Sequence, residues 1–348
     1  MMYLLFRADS FRKSALEEIG RAAPGYRLID EQHNVFLADM KIGRNSILED
    51  AKFIYRYFPV YSSSMIDKRN YIASIYGQLK GLKLNRKARI KLECFDINCK
   101  DGYSAKDIEV AIGGMMELDG FKIDIKDPEV LAYSVLLNSK CYSGYIKVSD
   151  CRNAFLDPFR VYKGKLVSRA EFKIMEAFDA FGIDVPETAV DIGAAPGGWS
   201  LFLARKGAAV IAVDGAELDC RGIRNAGITV RTFNAADRAR VIGNAKPGEI
   251  LHLKCRAREA IESLKGLHVG MVADDINTGG IESAIAVLEY AEIMDKDATL
   301  IMTVKCMRRN IGKYIKEVES LLESRFRIMQ WKVLPHNRQE ITLYAKKR

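Results

Sequence analysis

A glycine-rich turn in the second half of the chain has the residue types that bind a nucleoside. It spans residues 191–200, Asp-Ile-Gly-Ala-Ala-Pro-Gly-Gly-Trp-Ser, and lies between the apolar runs 189–190 and 201–204. This order predicts a strand, a tight turn and a helix, with glycines that let a ligand approach the backbone beside the helix N-terminus. Because the turn lacks the lysine of a nucleotide-triphosphate loop, it favours S-adenosylmethionine as the ligand. The turn residues predicted to contact it are Asp191, Gly193, Ala195, Pro196, Gly197, Gly198 and Trp199. A turn that serves only helix packing is the alternative.

An acidic residue follows the turn at the spacing of a ribose contact. The apolar run 208–213 ends at Asp214. In a nucleotide-binding βαβ unit, the carboxylate that ends the second strand accepts hydrogen bonds from the ribose hydroxyls. A third apolar run, 228–233, ends at Asn234, which we expect either to contact the adenine edge or to be an ordinary turn residue.

The length and composition exclude several classes of protein. A chain of 348 residues predicts two or three domains, and 49% hydrophobic with 28% charged residues indicates a globular protein. Since no apolar run approaches the roughly 20 residues needed to span a bilayer, we expect no membrane association. The seven cysteines show no paired spacing, and the four histidines lie far apart. We therefore expect reduced thiols, a cytoplasmic location and no metal site.

The positive charge of the chain favours a polyanionic partner. The formal net charge is +9 and the isoelectric point is near 9.0. Lysines and arginines that neutralise phosphates release counterions, so an excess of positive charge is typical of nucleic-acid-binding proteins. The basic residues are concentrated at Lys80, Lys83, Arg86, Lys87, Arg89 and Lys91. This run could equally be a solvated strand face.

The order of strands and helices divides the chain into three predicted segments, all of the α/β class. Residues 1–50 form a small α/β unit with a helix over 10–21 and a strand over 34–38. Residues 51–150 contain a strand over 88–95, a helix over 104–118 and strands over 130–137 and 141–148. Residues 155–348 alternate strands and helices, which predicts a Rossmann-like doubly wound sheet.

Two segments resemble known families. The phrase Ile-Asp-Ile-Lys-Asp-Pro-Glu-Val at 123–130, followed by two strands, is similar to the signature of THUMP domains, which capture RNA in several RNA-modifying enzymes. The C-terminal segment resembles the FtsJ-type ribose 2′-O-methyltransferases, particularly the RlmM family, which modifies a cytidine of large-subunit rRNA. The resemblance implies a Rossmann-like methyltransferase domain and an RNA substrate, either rRNA, which is favoured, or tRNA. It implies no obligate protein partner.

The FtsJ resemblance also implies a set of catalytic residues. Four positions match the family's Lys-Asp-Lys-Glu set, and they are Lys173, Asp274, Lys305 and Glu340. A ribose hydroxyl must lose its proton as it attacks a methyl group, so a base is needed. We expect Lys305 to be that base, since a lysine among apolar residues and other cations can have a lowered pKa. Lys173 would orient the hydroxyl and stabilise negative charge, and the two acids would hold the ammonium groups.

Several positions depart from the family's pattern or extend it. Asp275 follows Asp274 directly and could be the acting acid, although the strand end favours Asp274, which we also expect near the sulfonium of the cofactor. Asn234 stands where the family usually has aspartate. Ser168 is expected to contact the cofactor by family analogy. Residues 308 and 309, both arginine, are candidate phosphate contacts or a solvated helix start.

The leading hypothesis is therefore an S-adenosylmethionine-dependent RNA ribose 2′-O-methyltransferase. A base N-methyltransferase is the first alternative, because THUMP domains accompany those enzymes too. Such enzymes carry an Asn/Asp-Pro-Pro-aromatic loop at the fourth motif, whereas this chain reads Asp-Asp-Ile-Asn at 274–277. A non-catalytic RNA-binding protein with a methyltransferase fold is the second alternative.

Overall fold

The chain forms two compact units in a computed structural model, Met1–Val161 and Tyr162–Arg348. The structure describes residues 1–7, 11–41, 51–97, 103–150, 167–234, 245–306, 311–337 and 339–348. Within these ranges, no helix is long and apolar enough to cross a membrane. The predicted three-part division remains a prediction.

The N-terminal unit begins with a four-stranded antiparallel sheet. Its strand order is β2-β3-β1-β4. The elements are β1 (Met2–Arg7), α1 (Arg12–Ala22), β2 (Arg27–Gln32), β3 (Val35–Asp39) and β4 (Ile54–Pro59). Strand β4 pairs with β1 along its length, so this sheet extends beyond the boundary expected at residue 50. Glu18 of α1 is buried and accepts backbone N–H groups of Phe53 and Ile54, which ties the helix to the start of β4.

A five-stranded sheet with two helices follows in the same unit. Its order is β5-β9-β8-β6-β7. The elements are β5 (Ser62–Met65), α2 (Tyr71–Lys80), β6 (Arg89–Ile97), α3 (Ala105–Leu118), β7 (Lys122–Ile123), β8 (Val130–Leu137) and β9 (Lys140–Lys147). The strands and the helix predicted here are confirmed to within two residues. Helix α3 begins at a capping box in which Ser104 and Asp107 each accept the other's backbone N–H.

The C-terminal unit is an eight-stranded Rossmann-like sheet with helices. Its order is β12-β13-β11-β10-β14-β15-β17-β16, and every pair is parallel except those involving β17. The strands are β10 (Thr188–Ile192), β11 (Ala209–Val213), β12 (Thr229–Phe233), β13 (Glu249–Leu253), β14 (Val269–Asp274), β15 (Met294–Lys305), β16 (Phe326–Lys332) and β17 (Glu340–Lys347). The helices are α4 (Ala170–Phe181), α5 (Gly198–Arg205), α6 (Cys220–Asn225), α7 (Ala257–Leu264), α8 (Gly280–Tyr290) and α9 (Ile311–Leu322).

The apolar composition of the central strands explains their place in this sheet. All residues of β11 are buried, and β10 and β14 are nearly so, because a parallel sheet is covered on both faces. Strand β10 lies between β11 and β14, where the order of the strands reverses. A doubly wound sheet binds ligands beyond the carboxyl ends of its strands at such a point.

Candidate active site

The glycine turn lies at the carboxyl end of β10 and approaches the loop after β14 closely. Gly193 has a φ of 76°, and a Cβ there would lie 2.8 Å from the Cα of Ile276. Gly197 has a φ of 113° and caps the start of α5. Since L side chains rarely adopt these dihedrals, glycine is required at both positions. The turn therefore packs closely against the loop after β14 at Gly193 and against the Ile223 side chain at Gly197.

Asp191, the penultimate residue of β10, is fully buried. Its Oδ2 accepts a hydrogen bond of 2.5 Å from the Ser200 hydroxyl in the first turn of α5. Its Oδ1 is buried and has no hydrogen-bond partner in the described part of the chain. Burial raises the pKa of Asp191 to about 7. A buried carboxyl oxygen without a partner is an acceptor for a polar group of a ligand.

Asp214 follows β11 and connects its own loop to the glycine turn. Its Oδ2 accepts the Ala195 N–H at 3.0 Å, and its Oδ1 accepts the Ala216 N–H at 2.8 Å. Each carboxylate oxygen can accept a second hydrogen bond, so the carboxylate remains compatible with ribose hydroxyls.

The strand beside β11 is β13, and β12, which precedes β13 in the chain, lies on its far side. β13 pairs with β11, and β12, which carries Asn234 at its end, pairs only with the outer side of β13. Neighbouring strands lie about 4.8 Å apart, so the strand that carries Asn234 lies about 10 Å from the strand that precedes Asp214. Lys254 and Cys255 follow β13 and therefore stand on the strand next to the one that precedes Asp214. Lys254 forms an ion pair with Glu217 in the loop that follows Asp214.

Two further predicted cofactor residues lie where α4 meets the glycine turn. The Ser168 hydroxyl is buried against Gly198, where any Cβ would collide with it, and it has no hydrogen-bond partner in the ranges described. Trp199 is only 2% exposed, and its ring N–H donates to the Ala170 carbonyl at 2.8 Å. Trp199 therefore joins α5 to the start of α4 in the interior, which differs from the predicted cofactor contact. Pro196 is exposed on the turn.

Two lysines and two acids from four separate elements meet beside this turn. The Nζ of Lys173, on α4, lies 2.6 Å from Glu340 Oε2 and 3.3 Å from Asp275 Oδ1. The Nζ of Lys305, at the end of β15, lies 3.7 Å from Asp275 Oδ1 and 3.7 Å from Glu340 Oε1. All four side chains are 13–16% exposed. We call these four residues the charge cluster.

The acid in the charge cluster is Asp275, whereas the sequence favoured Asp274. Asp274 is fully buried; it accepts hydrogen bonds from the Ser283 hydroxyl of α8 and from the Ile276 N–H at 3.0 Å. Burial raises the pKa of Asp274 to about 7. Successive residues of a strand face opposite sides of the sheet, so Asp275 points to the lysines when Asp274 points to the helix. The expectation that Asp274 holds an ammonium group is corrected to Asp275.

Electrostatic attraction favours the charged form of Lys173, and hydrogen bonds hold Asp275 and Lys305 in place. Burial opposes the charged form of Lys173, but the attraction of Asp275 and Glu340 is greater, so its pKa is raised above the usual value. Asp275 Oδ1 also accepts a hydrogen bond of 2.6 Å from the Thr303 hydroxyl. Lys305 Nζ donates to the Ile276 carbonyl at 2.8 Å.

Thr303, Ile276 and one pair of side chains beside the cluster were not predicted from the sequence. Glu176, one turn after Lys173 on α4, is buried and accepts the backbone N–H of His336 at 3.0 Å. The His336 ring forms a second contact with Glu176 and stacks on Phe172 at 5.0 Å. This attachment fixes the loop before β17, and hence Glu340, to the helix that carries Lys173. The only sequence signal is that His336 precedes Glu340 closely. The arginines at 308 and 309 lie outside the described residues.

The second unit matches a known family over the segment that holds the turn, Asp214 and Asp275. Its residues 166–276 match the family model of FtsJ-like methyltransferases. Residues 166–276 are an FtsJ-like methyltransferase domain. The matched family is one of methyltransferases.

One curated relative and several solved structures are similar to this chain. An uncharacterised protein of Methanocaldococcus jannaschii is 26% identical over 196 residues, which are 53% of this chain and 48% of that protein. The chain thus spans about half the length of the relative it matches. TrmN of Thermus thermophilus aligns over 100% of both chains with 12% identity and a TM-score of 0.39. Fibrillarin of Aeropyrum pernix, solved with natively bound S-adenosylmethionine, aligns over 61% of this chain and 81% of its own with 15% identity and a TM-score of 0.36.

The cofactor of the FtsJ-like domain is S-adenosylmethionine, and the residues of this chain are suited to it. Gly193 and Gly197 leave the turn backbone without side chains, and the unpartnered Asp191 Oδ1 and Ser168 hydroxyl border the same turn. Asp214 adds a carboxylate at the end of the next strand. When bound, the cofactor supplies an electrophilic methyl group. Among the described residues, no cluster of His, Cys, Asp and Glu could hold a metal ion.

Proposed function

We propose that this protein transfers the methyl group of S-adenosylmethionine to a ribose 2′-hydroxyl of structured RNA. The observation that carries this proposal is the charge cluster, in which the ammonium groups of Lys173 and Lys305 share the carboxylates of Asp275 and Glu340. A ribose hydroxyl is a weak nucleophile that must be oriented and must lose its proton. Two lysines held by acids beside the glycine turn can orient the hydroxyl and accept its proton.

The distances support Lys305 as the proton acceptor. Its ammonium group lies 3.7 Å from each carboxylate, whereas that of Lys173 lies at 2.6 and 3.3 Å. Coulomb attraction falls with distance, so removing a proton from Lys305 sacrifices less attraction than removing one from Lys173. Lys173 then remains charged, orients the hydroxyl and stabilises the developing oxyanion.

The two acids act by positioning the lysines. Asp275 is fixed by the Thr303 hydroxyl, and Glu340 is fixed by its place at the start of β17 opposite Lys305. Each acid contacts both ammonium groups, so the distance between the two lysine Nζ atoms depends on both Asp275 and Glu340. Asp274, with its hydrogen bonds to Ser283 and Ile276, shapes the loop that presents Asp275.

The substrate assignment depends on charge and on the first unit. A net charge of +9 favours a polyphosphate chain over a small molecule. The five-stranded sheet with α2 and α3 contains the segment that resembles a THUMP domain, which supports an RNA-binding role for Met1–Val161. Resemblance to the RlmM family favours rRNA over tRNA.

Nucleoside analysis tests this proposal directly. The protein is incubated with cofactor and with separate rRNA and tRNA pools, and the RNA is digested and analysed by mass spectrometry. A methyl group on ribose is the expected result, and it should be absent with Lys305→Ala. A methyl group on a base would favour the base N-methyltransferase and refute the proposal. Cofactor binding with no methylation of either pool would favour the non-catalytic RNA-binding protein.

A further inference from the structure

A cleft with a basic rim lies at one end of the five-stranded sheet of the N-terminal unit. Its volume is about 500 Å³. It lies where the parallel strands β6 and β8 begin and the antiparallel strand β9 ends. The side chains relevant here are Lys83, Asn85, Lys87, Glu129, Tyr145 and Lys147. We call this feature the basic cleft.

The three lysines give the basic cleft uncompensated positive charge. Lys83, Lys87 and Lys147 are exposed, and none of them forms an ion pair with a carboxylate of the described residues. The acid of the cleft, Glu129, is already engaged, because it accepts the Arg89 N–H at 2.9 Å and lies 3.8 Å from the Arg89 guanidinium. The cleft therefore attracts anions, and its ammonium groups donate hydrogen bonds without first breaking an internal pair.

An aromatic surface and an amide complete the basic cleft. The Tyr145 ring packs against that of Tyr61 with centroids 5.1 Å apart, and Tyr61 is 51% exposed. Asn85 Oδ1 accepts the Lys87 N–H at 3.0 Å, which turns the loop and holds the Asn85 amide at the cleft. Aromatic rings beside lysines are the combination on which unpaired bases stack while the amines contact phosphates.

We infer that the basic cleft binds an unpaired nucleotide of the RNA substrate, with its base on Tyr145 and its flanking phosphates at Lys83, Lys87 and Lys147. A volume of about 500 Å³ is that of a small-molecule pocket, whereas a duplex needs a broad surface across its grooves. The inference rests on the proposed function only in taking RNA as the polymer. The inference assigns to the N-terminal unit a contact with RNA that is separate from the charge cluster of the C-terminal unit.

The test measures RNA binding by the full chain, without cofactor, over a series of salt concentrations. The probes are a single-stranded RNA of about 12 nucleotides and a duplex of the same length. In the triple variant Lys83→Gln, Lys87→Gln, Lys147→Gln, the salt slope for the single strand should fall by about 2, since each phosphate contact contributes about 0.7. The control removes the same charge elsewhere on this unit, at Lys13, Lys106 and Lys140, and should leave the slope nearly unchanged.

A second variant tests stacking without changing charge. Tyr145→Leu should weaken single-strand binding by about 5- to 150-fold, which corresponds to the loss of one stacked base. Because Tyr145 is half-buried, Tyr61→Ala at the exposed ring is the companion variant, with a smaller loss expected.

Three results would overturn the inference. They are a cleft triple variant that behaves like its control, a Tyr145→Leu protein that folds and binds as the wild type does, and an equal loss of affinity for the duplex. Binding is measured without methyl transfer, so a methyl group found on a base would refute the proposed function and leave this result standing.

Discussion

Arginine substitution separates the roles of the two lysines in the charge cluster. Arginine retains positive charge but does not lose its proton in proteins, so it can replace an orienting cation and not a base. We therefore expect Lys305→Arg to lower kcat by about 10²- to 10⁴-fold, the usual contribution of a general base. Lys173→Arg should retain activity to within about tenfold, since its proposed role needs only charge.

The distances give the physical basis for this asymmetry. With an effective dielectric constant of about 20, contacts of 2.6 and 3.3 Å give Lys173 a gross attraction of about 11 kcal/mol. The two contacts of 3.7 Å give Lys305 about 9 kcal/mol. Deprotonation of Lys305 thus sacrifices about 2 kcal/mol less attraction to the two carboxylates than deprotonation of Lys173.

The assay is single-turnover methylation of the RNA pool identified by nucleoside analysis, with tritiated cofactor to follow the rate. Cofactor affinity, measured by calorimetry, should be unchanged in both variants, because the ion pairs and hydrogen bonds of the two lysines are with Asp275, Glu340 and Ile276 rather than with the glycine turn. A Lys305→Arg protein as active as the wild type would refute the assignment of the base. So would a Lys173→Arg protein that loses more activity than Lys305→Arg.

Three further predictions concern the residues around the charge cluster. Because burial raises the folded-state pKa of Asp274 to about 7, its contribution to stability is present below about pH 4 and is lost as the pH rises to 7. Denaturant unfolding at pH 5 and pH 8 should therefore show a smaller fall for Asp274→Asn than for the wild type, by up to about 3 kcal/mol; an equal fall would contradict the buried, raised-pKa carboxyl. Gly193→Ala should weaken cofactor binding more than tenfold by calorimetry, roughly the effect of 1–3 kcal/mol of strain with a backbone shift. Gly207→Ala is its control, because Gly207 also has a positive φ, 98°, with nothing within 4 Å of a Cβ, and a similar loss there would point to general strain. Trp199→Phe should lower the free energy of unfolding by about 1 kcal/mol through the lost hydrogen bond and leave the cofactor Kd unchanged, whereas a raised Kd would restore the predicted cofactor contact.

Much of the fold was predictable because the apolar runs and turns are local signals. The glycine turn, the strand ends at Lys305 and Glu340, and the capped helix at Ser104 all follow from short stretches of sequence. The resemblance to FtsJ-type enzymes then brought together Lys173, Lys305 and Glu340, which local patterns alone do not connect.

The wrong expectations arose where local patterns do not determine spatial order. The apolar run of β12 comes directly after α6, yet β13 takes the place beside β11. The order of the apolar runs therefore does not reveal that a strand separates Asn234 from Asp214. Local patterns do not show which face of the sheet each of Asp274 and Asp275 points to, because a shift of one residue along a strand moves a side chain to the opposite face. Trp199 belongs to an apolar helix start, and nothing in its sequence context distinguishes an interior ring from one at a ligand.

The position of β17 between β15 and β16 has a consequence for the order in which the charge cluster is assembled. Glu340 contacts both lysines, and it stands at the start of β17, which follows both β15 and β16 in the chain. During translation, the cofactor turn and both lysines leave the ribosome well before Glu340 does. A nascent chain that ends before β17 has two neighbouring ammonium groups with one carboxylate between them. The charge cluster is therefore complete only after residue 340 has been synthesised and β17 has paired with β15.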